Sequence, residues 1–280
     1  MIPMTRALST LVIVEHRLTT AWLEKIRQAG IPTVEIFVAR QHLDYRNRAQ
    51  ITELAHWFRD SELRLHSLHS PIYSDDVWGR SGPNAVLNIA EPSKTRRIHV
   101  VDEIKRVIEI AESVPFSYLV QHLGLPEEEY DERKIDAAFS SLEELSVFAR
   151  QRGVEILLEN IPNALSTAER LVSFLAITHL KLGFCFDVGH AHLEEEGVEA
   201  AFRWMKDRIR STHVHDNDGQ QDGHLLPLPP AGGSIDWAKT MPLLRSVGDQ
   251  VPLLLELREI GEVKNPLETV REVFDRLENL

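Results

Sequence analysis

Eight times along the chain, a short run rich in apolar and β-branched residues is followed by a longer stretch with helical periodicity. The runs are Leu8–Val14, Thr33–Val38, Leu63–His69, Ser117–His122, Val154–Glu159, Leu182–Asp187, Ser211–Asp216 and Val251–Glu256. Strands that alternate with helices specify a parallel sheet joined by crossovers, and eight is the number that closes a barrel. The rival, an open doubly wound sheet, wants a Gly-rich phosphate turn after its first strand. Here the chain reads Val14-Glu15-His16-Arg17 instead. The expectation is a single (β/α)8 TIM barrel over residues 1–280, a length that suits a fold of about 250 residues.

Helices are expected at Thr20–Ala29, Arg48–Arg59, Thr95–Glu112, Glu132–Arg152, Ala168–Ile177, Val198–Lys206, Trp237–Ser246 and from Pro266 to about Leu277. Gly30 and Gly153 stand just past two of these ends, where a left-handed residue stops a helix. Two connections exceed the usual short loop. One runs from Pro71 to Lys94 and carries Tyr73, Trp78, Arg80 and Asn84. The other runs from Asn217 to Ile235, with Gly219, Gly223, Gly232, Gly233 and three prolines. Both leave the strand ends at which barrel chemistry sits, so both are candidate substrate loops.

Composition narrows the setting. The one cysteine, Cys185, excludes an internal disulfide framework and fits a reducing compartment. Met1–Leu18 lacks the pattern of a signal peptide, and no run approaches the ~18 apolar residues of a membrane span. A cytoplasmic protein without a membrane partner is expected. The net charge of −12 argues mildly against a grip on nucleic acid, although carboxylates gathered for a metal also count in that total.

The informative pattern is positional. Strand after strand ends in a side chain able to bind a hard or borderline cation: His69, His122, Glu159, Asp187, then His213 with His215, then Glu256. In a barrel these ends converge on one mouth, and imidazole with carboxylate suits Zn, Mn, Co or, with more oxygen, Mg. Each residue alone has a bland role as a hydrogen-bonded or loop-anchoring group; the coincidence across six strands points to metal. His66 and His69 differ by three and should point to opposite faces, leaving His69 for the site. His213 and His215 share a face, as do Leu157 and Glu159, which predicts an apolar layer beneath a polar mouth. Asp187-Val-Gly-His190 and Asp222-Gly-His224 supply further carboxylate–imidazole pairs.

These residues resemble the xylose-isomerase-like barrels, the superfamily of sugar isomerases and epimerases and of type-IV apurinic endonucleases. The resemblance is carried by His69-Ser-Pro-Ile-Tyr73, Gln121-His-Leu-Gly124, Leu158-Glu-Asn160, Phe186-Asp-Val-Gly-His-Ala191, His213-Val-His-Asp-Asn217, Asp222-Gly-His224 and Leu255-Glu256. In the epimerase branch it implies one divalent metal on Glu159, Asp187, His213 and Glu256, the two glutamates doubling as acid and base around an enediolate. In the endonuclease branch it implies three zinc ions on His69, His122, Glu159, Asp187, His190, His213, Asp222, His224 and Glu256, and phosphodiester hydrolysis of DNA.

Departures favour the first branch. Glu159-Asn160 continues into Ile-Pro-Asn-Ala without a Gly-rich turn, Glu256 is followed by Leu-Arg, and Glu127-Glu128-Glu129 is a poor neighbour for a DNA backbone. The expected function is a metal-dependent isomerase or epimerase of a small polyhydroxylated carbonyl compound. The alternatives are the three-zinc phosphodiesterase and a metabolite-binding barrel without turnover. His69, His122, His190, Asp222 and His224 are then extra ligands or substrate contacts, and Trp78, His215 and Arg258 are substrate-binding candidates. Glu15, His16 and Glu35 are weaker pocket candidates. Barrels of this type often associate, so a homo-oligomer is compatible with the chain, but no apolar stripe demands one.

Overall fold

The computed structural model describes residues 4–228, 233–248, 250–258 and 266–280. Gly232, Pro229 and Pro230 of the second long connection lie outside them. Eight parallel strands form one sheet in the order β7-β6-β5-β4-β3-β2-β1-β8. They are β1 Arg6–Ser9, β2 Thr33–Phe37, β3 Arg64–His69, β4 Tyr118–His122, β5 Glu155–Glu159, β6 Gly183–Asp187, β7 Ile209–His213 and β8 Leu253–Leu255. The edges β7 and β8 meet through a parallel bridge between Val214 and Leu255. The hydrogen bonds there, Val214 N to Leu254 O at 2.8 Å and Glu256 N to Val214 O at 3.2 Å, bring the sheet nearly to closure as a (β/α)8 barrel.

Around it lie α1 Thr20–Gln28, α2 Arg48–Asp60, α3 Lys94–Ile108, α4 Glu132–Arg150, α5 Ala168–Ile177, α6 Val188–Leu193, α7 Gly197–Met205, α8 Trp237–Ser246 and α9 Pro266–Glu278. Polar caps set several starts: the side chains of Asn47, Asp131, Thr167 and Asp236 accept from backbone N–H groups of the first turns they precede. Among the described residues no helix is long and apolar enough to cross a membrane.

Alternation along the strands sorts side chains into two environments. Leu119, Ile156, Leu158, Phe184 and Phe186 join the large core between sheet and helices. Val120, Leu157 and Cys185 form a small cluster inside the barrel, with Tyr118 packed against it. This is the apolar layer expected beneath Glu159.

Three local expectations change. The first apolar run is a strand only to Ser9; Thr10–Ile13 is a 3-10 turn, whose start the Ser9 side chain caps at Leu11 N. An extra short helix, α6, follows β6 directly, because Asp187 accepts from His190 N at 2.6 Å and starts a turn. The third change is at His66. The β2–β3 register jumps from Val34↔Leu65 to Glu35↔Ser67, so His66 is a bulge. Strict alternation therefore fails there, and both histidines of β3 face the interior. His66 reaches Ser211 Oγ across the barrel at 3.2 Å, one layer below the mouth, while His69 stays at the mouth.

Candidate functional site

The strand ends converge as barrel geometry requires. Four groups of donor side chains have ligand atoms within 4.8 Å of one another: Glu159, Asp187, His213 and Glu256; His69, His122 and Glu159; His69, His213 and Glu256; and His190, His215, Asp222 and His224. Glu159 belongs to two of them, and all but Asp222 and His122 are buried. Glu159, Glu256, His69, His122, His190, Asp222 and His224 border a cavity of about 680 Å³, and Asp187, His213 and His215 lie behind them.

The rings are held in a consistent way. His69 Nδ1 faces Ser70 O (2.9 Å), His190 Nδ1 faces Asn160 O (2.9 Å) and His224 Nδ1 faces Glu256 O (3.1 Å). A carbonyl can only accept, so each of these nitrogens carries the proton and Nε2 is turned to the acids. His69 Nε2 and His122 Nε2 lie 3.2 and 2.9 Å from Glu159 Oε2. His190 Nε2 and His224 Nε2 lie 3.3 and 3.2 Å from Asp222 Oδ2. His213 is turned the other way. Its Nδ1 is 2.7 Å from Glu159 Oε1, and its Nε2 is 3.1 Å from Glu35 Oε1.

His215 is fully buried and does not border the cavity, so its reach is to Asp187 rather than to a substrate. Its Nε2 lies 3.1 Å from the Asp187 carboxylate, and its ring stacks on His224 with centroids 3.9 Å apart and planes at 12°. Two stacked rings cannot both aim in-plane lone pairs at one ion, which leaves His190, Asp222 and His224 as the set that could hold a cation there. Gly189 makes room for the ring: a Cβ at that position would lie 2.0 Å from it.

Burial and charge pull the acids apart. Burial works against ionisation of Glu159, but His213 and His122 override it and hold the carboxyl well below the usual range. In Glu256 burial, joined by the charges of Glu159 and Glu35 and opposed by His213, pushes the carboxyl up to about 7. Burial likewise opposes the charge on His190, yet Asp187 and Asp222 raise that ring to about 10. Among the donor residues three side-chain atoms, Glu256 Oε1, Asp222 Oδ1 and His215 Nδ1, are buried without a hydrogen-bond partner.

Another part of the lining is apolar. Leu11 and Phe37 pack with Ile72 and Trp78, and the Trp78 ring stacks on Phe37 with centroids 5.5 Å apart. Arg258 is exposed on the rim and also borders the cavity, whereas Glu15 and His16 are exposed away from it. Three non-glycine residues of the lining, Trp78, Glu127 and His224, hold left-handed backbone with φ of 51°, 59° and 44°. Such strain persists only where surrounding structure enforces it.

Asp216 organises the second long connection. Its Oδ1 accepts from Asn217 N, Ser234 N and Ile235 N at 2.8 to 3.1 Å, and its Oδ2 from Trp237 Nε1 at 2.6 Å. Backbone bonds between Asp216 and Leu225 then fold Asp222 and His224 back over the mouth. Sequence reasoning missed Phe37 and assigned no role to Ile72 or Asp216 within the motifs that contain them, and it ranked Glu35 low; the period-two spacing of Glu35 and Phe37 was the available signal.

Comparison with known proteins agrees with this architecture. An uncharacterized protein of Methanocaldococcus jannaschii, MJ1311, is 28% identical over 95% of this chain and 88% of its own length. The crystal structure of a D-tagatose 3-epimerase-like protein superposes with a TM-score of 0.77 at 25% identity, covering 99% of this chain and 97% of that one. A structure of the IOLI protein with a bound zinc atom superposes with a TM-score of 0.76 at 18% identity, over 98% and 96% of the two chains. The model of the xylose isomerase-like TIM barrel family matches residues 23–280, and the chain belongs to that family.

Proposed function

We propose that this chain is a divalent-metal-dependent isomerase or epimerase of a small polyhydroxylated carbonyl substrate. The observation that carries the reading is the buried quartet Glu159, Asp187, His213 and Glu256, whose two glutamates, of opposed acidity, border the cavity. The quartet fits a cation on two counts. Its donor atoms lie within 4.8 Å of one another, close enough for a small rearrangement to bring them round one cation, and Glu256 Oε1 is a buried acceptor with no protein partner. The zinc-bound IOLI neighbour supports the same reading.

A bound divalent ion would supply Lewis acidity that stabilises the negative charge developing on an enediolate. The protein supplies the proton handling. Glu159, kept ionised by His213 and His122, accepts a proton from the carbon beside the carbonyl. Glu256, poised near 7, returns one to the other carbon or to the other face. Asp187 holds its place through His190 N and His215. The apolar wall of Leu11, Phe37, Ile72 and Trp78 covers the carbon skeleton and excludes water.

The test is solvent exchange. Incubated in heavy water with Mn, Co, Mg or Zn and a panel of ketoses, the protein should place deuterium on a substrate carbon and interconvert epimers. The absence of exchange across the panel would remove this reading. A second reading, phosphodiester hydrolysis, is favoured by one observation: His69 with His122 and His190 with Asp222 and His224 complete two more donor sets beside the first. Metal analysis of protein purified without an affinity tag separates the two. About one ion per chain supports the isomerase, and about three zinc ions support the hydrolase.

A further inference from the structure

We propose that Glu35 is the positioning residue that fixes His213 in the tautomer and charge environment needed to bind the metal. The inference deepens the preceding reading and rests on it, since it requires that the quartet hold a cation.

Glu35 sits in the middle of β2 and is fully buried. Its carboxylate crosses the barrel interior to His213 on β7, with Oε1 and Oε2 3.1 and 3.3 Å from Nε2. A carboxylate only accepts, so Nε2 holds its proton towards Glu35, while Nδ1 donates to Glu159 and is the nitrogen whose lone pair a cation would take once that proton leaves. Nδ1 is the nitrogen on the quartet side, 2.7 Å from Glu159 Oε1, 3.5 Å from Glu256 Oε2 and 3.8 Å from Asp187 Oδ2.

The partner matters because the other rings do without one of this kind. His69, His190 and His224 are each fixed by a neutral backbone carbonyl. His213 alone among these four rings is fixed by a full negative charge. A carboxylate behind a ligating imidazole orients the ring and raises its basicity, and loss of such a partner typically weakens metal binding about 10–100-fold.

The fold also goes to some length to keep Glu35 there. The bulge at His66 brings Ser67 into register opposite Glu35, and Ser67 Oγ donates to Glu35 Oε2 at 2.7 Å. Without the bulge that hydroxyl would face the helices.

The experiment compares wild type, Glu35→Gln, Glu35→Ala and Ser67→Ala as full-length, metal-depleted proteins. Calorimetric titration with Mn²⁺ gives affinity, the d–d spectrum with Co²⁺ reports the ligand field, and thermal melting without metal reports folding. Glu35→Gln retains an acceptor but loses the charge, so it should bind about 10-fold more weakly; Glu35→Ala loses both and should approach about 100-fold. The Co²⁺ spectrum should shift in both. The melting temperature without metal should fall in Glu35→Gln, because one partner of the buried Glu35–His213 pair is lost. A purely structural role predicts that lower melting temperature with unchanged affinity and an unchanged Co²⁺ spectrum in the folded protein.

Affinity within about threefold of wild type in folded Glu35→Gln would overturn the proposal. Should both Glu35 variants fail to fold, Ser67→Ala decides: a loss of affinity supports the proposal and an unchanged affinity overturns it. A wild type that binds no metal would remove the proposed function itself, a result distinct from tight binding that ignores Glu35.

Discussion

Glu103, on α3, and the carboxylates of the barrel mouth are buried alike, but they are held by different kinds of partner. Glu103 accepts from Tyr45 Oη and Arg46 at 2.6 Å each and pairs with Arg106 one turn along. Arginine does not titrate, and both guanidinium groups remain half-exposed, so the acid is settled permanently. His42 is a second settled group. Its Nδ1 donates to His16 O, and its Nε2 accepts from Thr10 Oγ1, which itself accepts from Phe37 N. At the mouth, by contrast, Glu159, Asp187, Asp222 and Glu35 face imidazoles, partners that can give up a proton or turn a lone pair to an ion. Acids held by arginine build the shell, whereas acids held by histidine can exchange that partner for a ligand.

The largest effect that tests this contrast is at the mouth. Glu159→Gln should lower turnover by about 10²–10⁴-fold with little change in melting temperature, measured as deuterium exchange into substrate. A variant keeping more than about a tenth of wild-type activity would place Glu159 with the settled group.

His42 sharpens the comparison through pH. Burial keeps its ring neutral and lowers its pKa to about 4, against about 6.5 in an unfolded chain. Between those values the unfolded state binds more protons, so stability falls as pH drops from 6.5 to 4. The loss amounts to about 3 kcal/mol at most. Denaturant melts across this range should show a shallower slope for His42→Gln than for wild type, and equal slopes would refute the assignment.

Glu103→Ala should cost about 1–3 kcal/mol, because it leaves the buried Tyr45 hydroxyl without its acceptor while the arginines turn to solvent. Metal affinity of the folded fraction should not move. A change in affinity would erase the distinction between shell and mouth. The smallest effect belongs to the apolar wall: Trp78→Ala should raise KM about fivefold, about 1 kcal/mol, with kcat nearly constant.

How much of this the sequence carried differs by residue. Helices such as Ala168–Ile177 and Trp237–Ser246 were legible to the residue, because caps and periodicity agree there. The strand ends bearing His122, Glu159 and Asp187 were equally plain. The run after Ser9 was not, since Thr10 spends its hydroxyl on Phe37 N and His42, contacts distant in sequence. Nor was the bulge at His66, which depends on pairing with β2 rather than on composition. Glu35 looked like one acid at a second strand; only the barrel's closure sets it behind His213.

The clamp at Asp216 carries a consequence for how this barrel could diversify. One carboxylate gathers the chain where it leaves β7 and again where it approaches α8, and a Cβ at Gly233 would collide with it at 2.0 Å. With both ends moored at a single point, changes of length and chemistry between them that keep Asp222 and His224 are expected to leave the scaffold intact. Such changes would alter the selectivity of the mouth while the buried quartet beneath it stays in place.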